Sequence, residues 1–219
     1  MPEPRPISSS WLSLTAGGDS RRVWLAAIGL LLMTVVVYEP AFHAGFIWDD
    51  DSYVTRNRLL SDPIGWLRAW IPGTTPQYYP VVFTMFWIEH VIWGLNPLGY
   101  HAVNVLLHAA NAVLVWRLAS WLRIPGAWLI GAVFAVHPVH VESVAWITER
   151  KNVLSGFFYL LAALAYLRFD SLRFPSPKQQ SETSHRTWQW YGVSLGCFAL
   201  ALLAKTVTMS VITPRLARY

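Results

Sequence analysis

Long apolar runs broken by short polar stretches dominate this chain. Five of them, Val23–Tyr38, Leu98–Leu122, Ala127–Ile147, Val153–Phe169 and Trp188–Ala204, predict membrane-crossing helices. At about 1.5 Å of rise per residue, they approach or exceed a hydrocarbon core of ~30 Å. A sixth apolar stretch opens at Thr206, and the sequence ends at Tyr219. The run Val81–Leu95 is different. It reaches only about 22 Å and contains Glu89 and His90.

Basic residues decide whether that short run crosses. If it does not, Arg21-Arg22, Arg117/Arg123 and the group Arg168, Arg173, Lys178 and Arg186 share one side, the cytoplasmic one. If it does, the last two groups move outside. The first arrangement satisfies the charge rule, so Val81–Leu95 is expected to be a half-buried or interfacial helix. The stretch from Glu39 to about Pro80 is then a long first extracytoplasmic loop, on the same side as His137–Lys151. Within it, Asp62-Pro63 predicts a helix start, a capping carboxylate followed by proline at the first position. Ile64, Leu67, Trp70 and Ile71 at helical spacing imply a short amphipathic helix ended by Pro72-Gly73.

Composition sharpens the class. The chain has 219 residues, of which 54% are hydrophobic and 13% charged, about half the charge of a soluble domain. Its 13 Trp cluster near the ends of apolar runs, as interfacial belts do. These features imply an all-α, polytopic transmembrane helical bundle. The net charge of +5 reflects loop orientation and anionic lipid, and no nucleic-acid partner is expected. Cys197 is the only cysteine, so an intrachain disulfide is excluded. Residues 1–22 form a polar, Pro/Ser/Gly-rich leader expected to be disordered and cytoplasmic, with residues 23–219 as the membrane domain. No A-x-A site follows the first run, which is read as an uncleaved span.

Three constellations could carry chemistry. Asp49-Asp50-Asp51 lies just past the first span, where charge is costly and usually serves a function. Three adjacent acids repel one another, which makes this the first place to look for a general base. The segment His137-Pro-Val-His-Val-Glu-Ser-Val-Ala-Trp-Ile-Thr-Glu-Arg-Lys151 should kink or break at Pro138. His137, His140 and Glu142 match no metal-ligand spacing, so no metal is assigned. Arg150 and Lys151 offer charge to a phosphate, as does Lys205, although each could instead be a snorkelling cation. Finally, His101, Asn104, His108 and Asn111 share one helix face. Hydrogen bonding to neighbouring helices is the favoured role, with lining of a substrate cavity as the alternative.

Several segments in order carry a resemblance. They are Phe46-Ile-Trp-Asp-Asp50 with Asn57 downstream, Tyr78-Tyr-Pro80, Gly94-Leu-Asn-Pro-Leu-Gly-Tyr-His101, Asn104-Val-Leu-Leu-His108, His137 to Trp146, and Lys205. Together they resemble the membrane half of the tetratricopeptide-repeat-containing O-mannosyltransferase-like proteins, in a bacterial version, within the GT-C glycosyltransferase superfamily. The likeness runs over about residues 23–213. Animal members carry Arg-Pro where this chain has Tyr79-Pro80, and Gly-Arg-Ala-Asp where it has Thr148-Glu-Arg-Lys151. The repeat domain does not follow, so the chain is expected to be a GT-C-like bundle incomplete at its C-terminus.

The resemblance implies transfer of a sugar, with mannose a candidate, from a polyprenyl-phosphate donor to an acceptor hydroxyl on a protein or other molecule. It places Asp49 and Asp50 as catalytic residues. His137, His140, Glu142, Arg150, Lys151 and Lys205 are expected to bind the substrate. No cofactor is expected beyond the lipid-linked donor. The implied location is the inner or plasma membrane, with the N-terminus cytoplasmic. Two rivals stand beside this reading: a non-catalytic membrane scaffold for a repeat domain, and a transporter using the acids and histidines as a relay.

Overall fold

The computed structural model describes residues 20–173 and 184–205. Among them the regular structure is helical, with no strand. The helices are α1 (Ser20–Val37), α2 (Gly65–Arg68), α3 (Pro80–Trp93), α4 (Pro97–Trp121), α5 (Ala127–Val136), α6 (Val141–Ala145), α7 (Arg150–Arg173) and α8 (Ser184–Ala204). This is an all-α membrane bundle. α1, α4 and the stretch Ile147–Arg173 are each long and apolar enough to cross a membrane. The third predicted span, Ala127–Ile147, breaks where Pro138 removes a helical donor: Ala127–Val136 and Pro138–Ala145 meet at a 49° bend. α8 has the length to cross but opens on the polar residues 184–187. The apolar stretch from Thr206, and nearly all of the loop after Arg173, lie outside the described residues.

The bundle turns its apolar residues outward and its polar ones inward. Trp24, Leu32 and Val36 of α1 are exposed, as expected of a lipid-facing surface, while His101, Asn104, His108 and Asn111 of α4 are buried. α4 lies at the centre against α1, α5 and α7, and α8 packs along α7. Three residues of the polar stripe bond to neighbouring backbone, as expected for the structural role. The Asn104 amide donates to the Val144 and Trp146 carbonyls at 3.2 and 3.1 Å, and that of Asn111 to the Val153 carbonyl at 2.8 Å. His108 Nε2 lies 3.1 Å from the Ala135 carbonyl, one of the oxygens freed where α5 stops short of Pro138. Gly131 permits the close α4–α5 approach, since a Cβ there would stand 2.8 Å from Trp116 Cβ and 2.9 Å from the Ala112 oxygen.

The short run Val81–Leu95 forms α3, and its contacts show that it does not traverse the bundle. Near its start, Phe83 stacks on Tyr53 at 5.1 Å; near its end, Trp93 meets the Tyr100 ring at 6.5 Å. The Tyr100 hydroxyl donates to the Gly94 carbonyl at 2.8 Å. Tyr53 and Tyr100 both belong to the same end of the molecule, so α3 lies across that end. The preceding loop is pinned to it through indole N–H groups: Trp70 Nε1 to Thr84 Oγ1 at 3.2 Å, and Trp87 Nε1 to the Asp62 carbonyl at 2.8 Å.

The predicted amphipathic helix beginning at Asp62 shrinks to the single turn α2. Asp62 does not cap it: the N-cap is Ile64, and the Asp62 carboxylate accepts the Ile64 N–H at 3.1 Å in the turn before the helix. At its first position Gly65 lies against the Leu59 carbonyl, where a Cβ would stand 1.8 Å from the oxygen. After Arg68 the backbone tightens into three-residue turns, the Trp70 N–H donating to the Leu67 carbonyl and the Ile71 N–H to that of Arg68. Beyond α2, the Thr74 hydroxyl is shared between the Arg68 and Ile71 carbonyls.

Candidate functional site

Asp49, Asp50 and Asp51 have separate fates. Asp50 is fully buried. Its Oδ2 accepts the Ile47 N–H at 2.9 Å, and its Oδ1 accepts the Thr148 N–H at 2.9 Å together with the Thr148 hydroxyl. Asp51 accepts the Thr55 hydroxyl at 2.7 Å and pairs with Arg56 at 3.0 Å. Asp49 is exposed, and its carboxylate makes no hydrogen bond or ion pair among the described residues. Trp48, just before it, holds a left-handed φ of 48° and meets the Trp146 ring edge-on at 5.0 Å. A non-glycine residue rarely adopts that conformation, so the surrounding contacts must enforce it. The Asp50–Thr148 and Trp48–Trp146 contacts bring the acidic loop and the His137–Lys151 segment to one end of the bundle.

Arg150 follows two residues after Thr148 and is fully buried. Its guanidinium donates to Glu89 of α3, to Asn104 Oδ1 at 2.7 Å and to the Tyr100 carbonyl at 2.7 Å, and it lies 4.8 Å from the Phe86 ring centroid. Asn104 also receives the backbone of α6 through its amide, so α3, α4, α6 and α7 meet at one polar knot. Burial pushes the Glu89 carboxyl up to about 7, against the pull of Arg150. These acceptors hold the guanidinium inside the protein, facing the fold.

Lys151 and Lys205 instead border the same end as Asp49. Lys151 Nζ lies 2.6 Å from Glu149 Oε1, and 5.7 and 6.0 Å from the Tyr53 and Trp146 rings. Asn152 donates to Glu149 Oε2 at 2.5 Å and to the Ser143 hydroxyl at 3.0 Å, and its Oδ1 accepts from Lys205 Nζ. Burial pulls the Lys205 ammonium below its usual range, Glu149 opposes that pull, and Lys151 adds to it. Tyr53 stays a neutral donor, to Gln77 at 2.8 Å, because burial and then Tyr79, Asp49 and Glu149 push its hydroxyl up.

His137 and Glu142 are exposed and His140 is half-buried. His137 Nδ1 accepts the Val139 N–H at 3.2 Å, which starts the turn after the bend. His140 packs on Phe134 and His108, with ring centroids 4.4 and 5.2 Å away. Among the described residues, no group of three or more His, Cys, Asp or Glu is placed to hold a metal.

Sequence reasoning missed Thr148, Glu149 and Asn152. A threonine beside a charged triplet carries no signal of its own, and only the fold shows it facing Asp50. Glu149 and Asn152 flanked residues that were singled out, and their charge and amide were the available clue. Asn104 was visible in the polar stripe, but its second partner, Arg150, was not.

No family model matches the chain, and neither does any solved structure. Over 190 residues it is 34% identical to mouse protein O-mannosyl-transferase TMTC2, covering 80% of this chain and 21% of that protein. The human TMTC2 protein matches with the same identity and coverage, and human TMTC4 is 28% identical over 206 residues, 82% of this chain and 27% of that protein. These relatives are animal proteins, not a bacterial version. The chain spans about a fifth to a quarter of the length of these curated relatives. It is thus a homologue of proteins named protein O-mannosyl-transferases, over about four fifths of its own length.

Proposed function

We propose that this chain is part of a GT-C type glycosyltransferase that moves a sugar, mannose first among the candidates, from a polyprenyl phosphate to a hydroxyl of an acceptor protein. The observation that carries this reading is the contrast within the acidic loop. Asp49 is exposed and unengaged, while Asp50 is buried and fixed by Thr148, with two lysines at the same end. The names of its relatives supply the reaction class.

In this scheme the acceptor hydroxyl gives its proton to Asp49 as its oxygen bonds to the sugar's anomeric carbon from the face opposite the leaving group. The bond from that carbon to the phosphate oxygen breaks, the phosphate keeps the electron pair, and configuration inverts. One carboxylate base suffices, because the departing phosphate needs no proton. Asp50 sets the geometry and electrostatics of the loop. Of the three cations expected to meet the phosphate, Lys151 and Lys205 face the same end as Asp49, and they would stabilise the charge that develops there. Arg150 would act through the fold. His137, His140 and Glu142 border the same end and could help position the donor. The distribution of Arg and Lys favours this end as the extracytoplasmic one, with the N-terminus in the cytoplasm and the chain in the inner or plasma membrane.

Asp49→Asn tests the assignment. It should leave membrane insertion and melting unchanged while lowering transfer from polyprenyl-phosphate-mannose by about 10²–10⁴-fold. Undiminished transfer would remove Asp49 from the reaction.

A further inference from the structure

Glu149 has no task in that scheme, yet it occupies the middle of the cationic cluster. One oxygen lies 2.6 Å from Lys151 and the other accepts from Asn152, whose own oxygen takes the ammonium of Lys205. Both members of the Glu149–Lys151 pair are largely enclosed, with side-chain exposures of 13% and 12%. Salt screens such a pair far less than a surface one. Among the described residues the cluster holds two cations, Lys151 and Lys205, against the one carboxylate of Glu149, a balance suited to a further acid. A phosphate would need the same Nζ groups that Glu149 and Asn152 now occupy, and it brings more charge and more oxygens than a carboxylate.

We propose that Glu149 is the resident counter-ion of a phosphate site formed by Lys151 and Lys205. It fills the site while no donor is bound and competes with the arriving headgroup. The arrangement prevents two ammonium groups from repelling each other across an empty site. It also sets a threshold for binding, since the phosphate must displace an anion already tethered to the chain. Asn152 relays the exchange, because its amide joins Glu149 to Lys205. This inference rests on the lipid-phosphate reading above and assigns it a residue whose removal should strengthen binding.

The test is equilibrium binding of farnesyl phosphate to the chain in lipid nanodiscs, with inorganic phosphate as a second probe that reports the headgroup alone. Glu149→Gln keeps the amide-compatible shape and loses the charge. It should bind farnesyl phosphate about three- to tenfold more tightly, the size expected for removing one partly enclosed competing charge. Lys151→Met and Lys205→Met should each weaken binding, and the same ranking should appear with inorganic phosphate if the headgroup is what the site reads. A ranking seen with inorganic phosphate but lost with farnesyl phosphate would overturn the assignment to a lipid phosphate. Asn152→Asp serves as an independent variant should Glu149→Gln fold poorly: a second carboxylate on Lys205 should weaken binding, and unchanged binding would overturn the inference. Binding that depends on the lysines but is unchanged or weaker in Glu149→Gln also overturns it, while leaving the phosphate site itself standing. Binding indifferent to both lysines overturns the site as well.

Discussion

Replacing Glu89 by leucine should destabilise the bundle by about 3–5 kcal/mol, because it leaves the Arg150 guanidinium buried without its counter-charge. Arg150 is fully enclosed and the Glu89 side chain is 5% exposed, so water cannot take over. Two acceptors would remain, Asn104 Oδ1 and the Tyr100 carbonyl, and neither carries charge. An arginine cannot escape by losing its proton. Pairing Glu89→Leu with Arg150→Met removes both charges and fills the space with apolar atoms of similar volume, an exchange that is often close to neutral. That exchange frees two buried acceptors, each worth about 1–3 kcal/mol, so recovery should be partial. The double variant should still be more stable than Glu89→Leu alone by about 2 kcal/mol, a coupling that additive single changes would not give. Reversible unfolding in mixed micelles at about pH 8, where the carboxyl is ionised, measures all four species. A Glu89→Leu cost under ~1 kcal/mol, or additivity of the two changes, would show that the pair does not hold α3 to α7.

The remaining predictions are shorter. Thr148→Val removes the hydroxyl donor to Asp50 while keeping the N–H, and should cost about 1.5–3 kcal/mol of stability and lower transfer, read by melting and by the sugar-transfer assay. Gly131→Ala should cost about 1–3 kcal/mol by overpacking the α4–α5 seam, where both nearest atoms belong to helix frameworks that give little; melting checks this. Glu89 also predicts a pH dependence. Its folded-state value of about 7 exceeds its ordinary 4.5, so the folded state binds the proton more tightly and stability should fall as pH rises through that window. Unfolding midpoints measured across it should flatten in Glu89→Gln.

Periodicity and charge made much of the architecture legible, for reasons that particular residues show. A run such as Leu98–Leu122 can only be a helix in lipid, since its backbone must satisfy itself. The stripe from His101 to Asn111 then had to face inward, and it does. The count of arginines led to a short helix that stays at one end, and α3 contacts Tyr53 and Tyr100 at that end. The site was less legible. Asp49 and Asp50 are adjacent and chemically identical in sequence, yet one is exposed and the other buried, a difference made by Thr148 some hundred positions away. Arg150 and Lys151 are likewise neighbours, but helix geometry at the start of α7 sends one into the polar knot and the other to the cluster with Glu149. Local sequence could not divide either pair, because tertiary contacts set each side chain's environment. The shrinkage of the predicted helix after Asp62 is also set by contacts that spacing rules do not see: Trp70 and Thr74 bond elsewhere, the indole to Thr84 and the hydroxyl to the Arg68 and Ile71 carbonyls.

The early stop of α5 also matters for the lipid around the protein. Its ten residues rise about 15 Å, roughly half the thickness of a hydrocarbon layer. The segment continues through Pro138–Ala145 at a 49° angle, so it reaches less far than a straight helix of the same length, which favours a thinner bilayer beside it with headgroups drawn inward. A polyprenyl phosphate diffusing in the leaflet would meet that depression sideways, its headgroup lowered toward the level where Pro138 interrupts the helix. The proline would then shape an entrance, and the lipid-linked donor proposed above would have no need to leave the membrane to arrive.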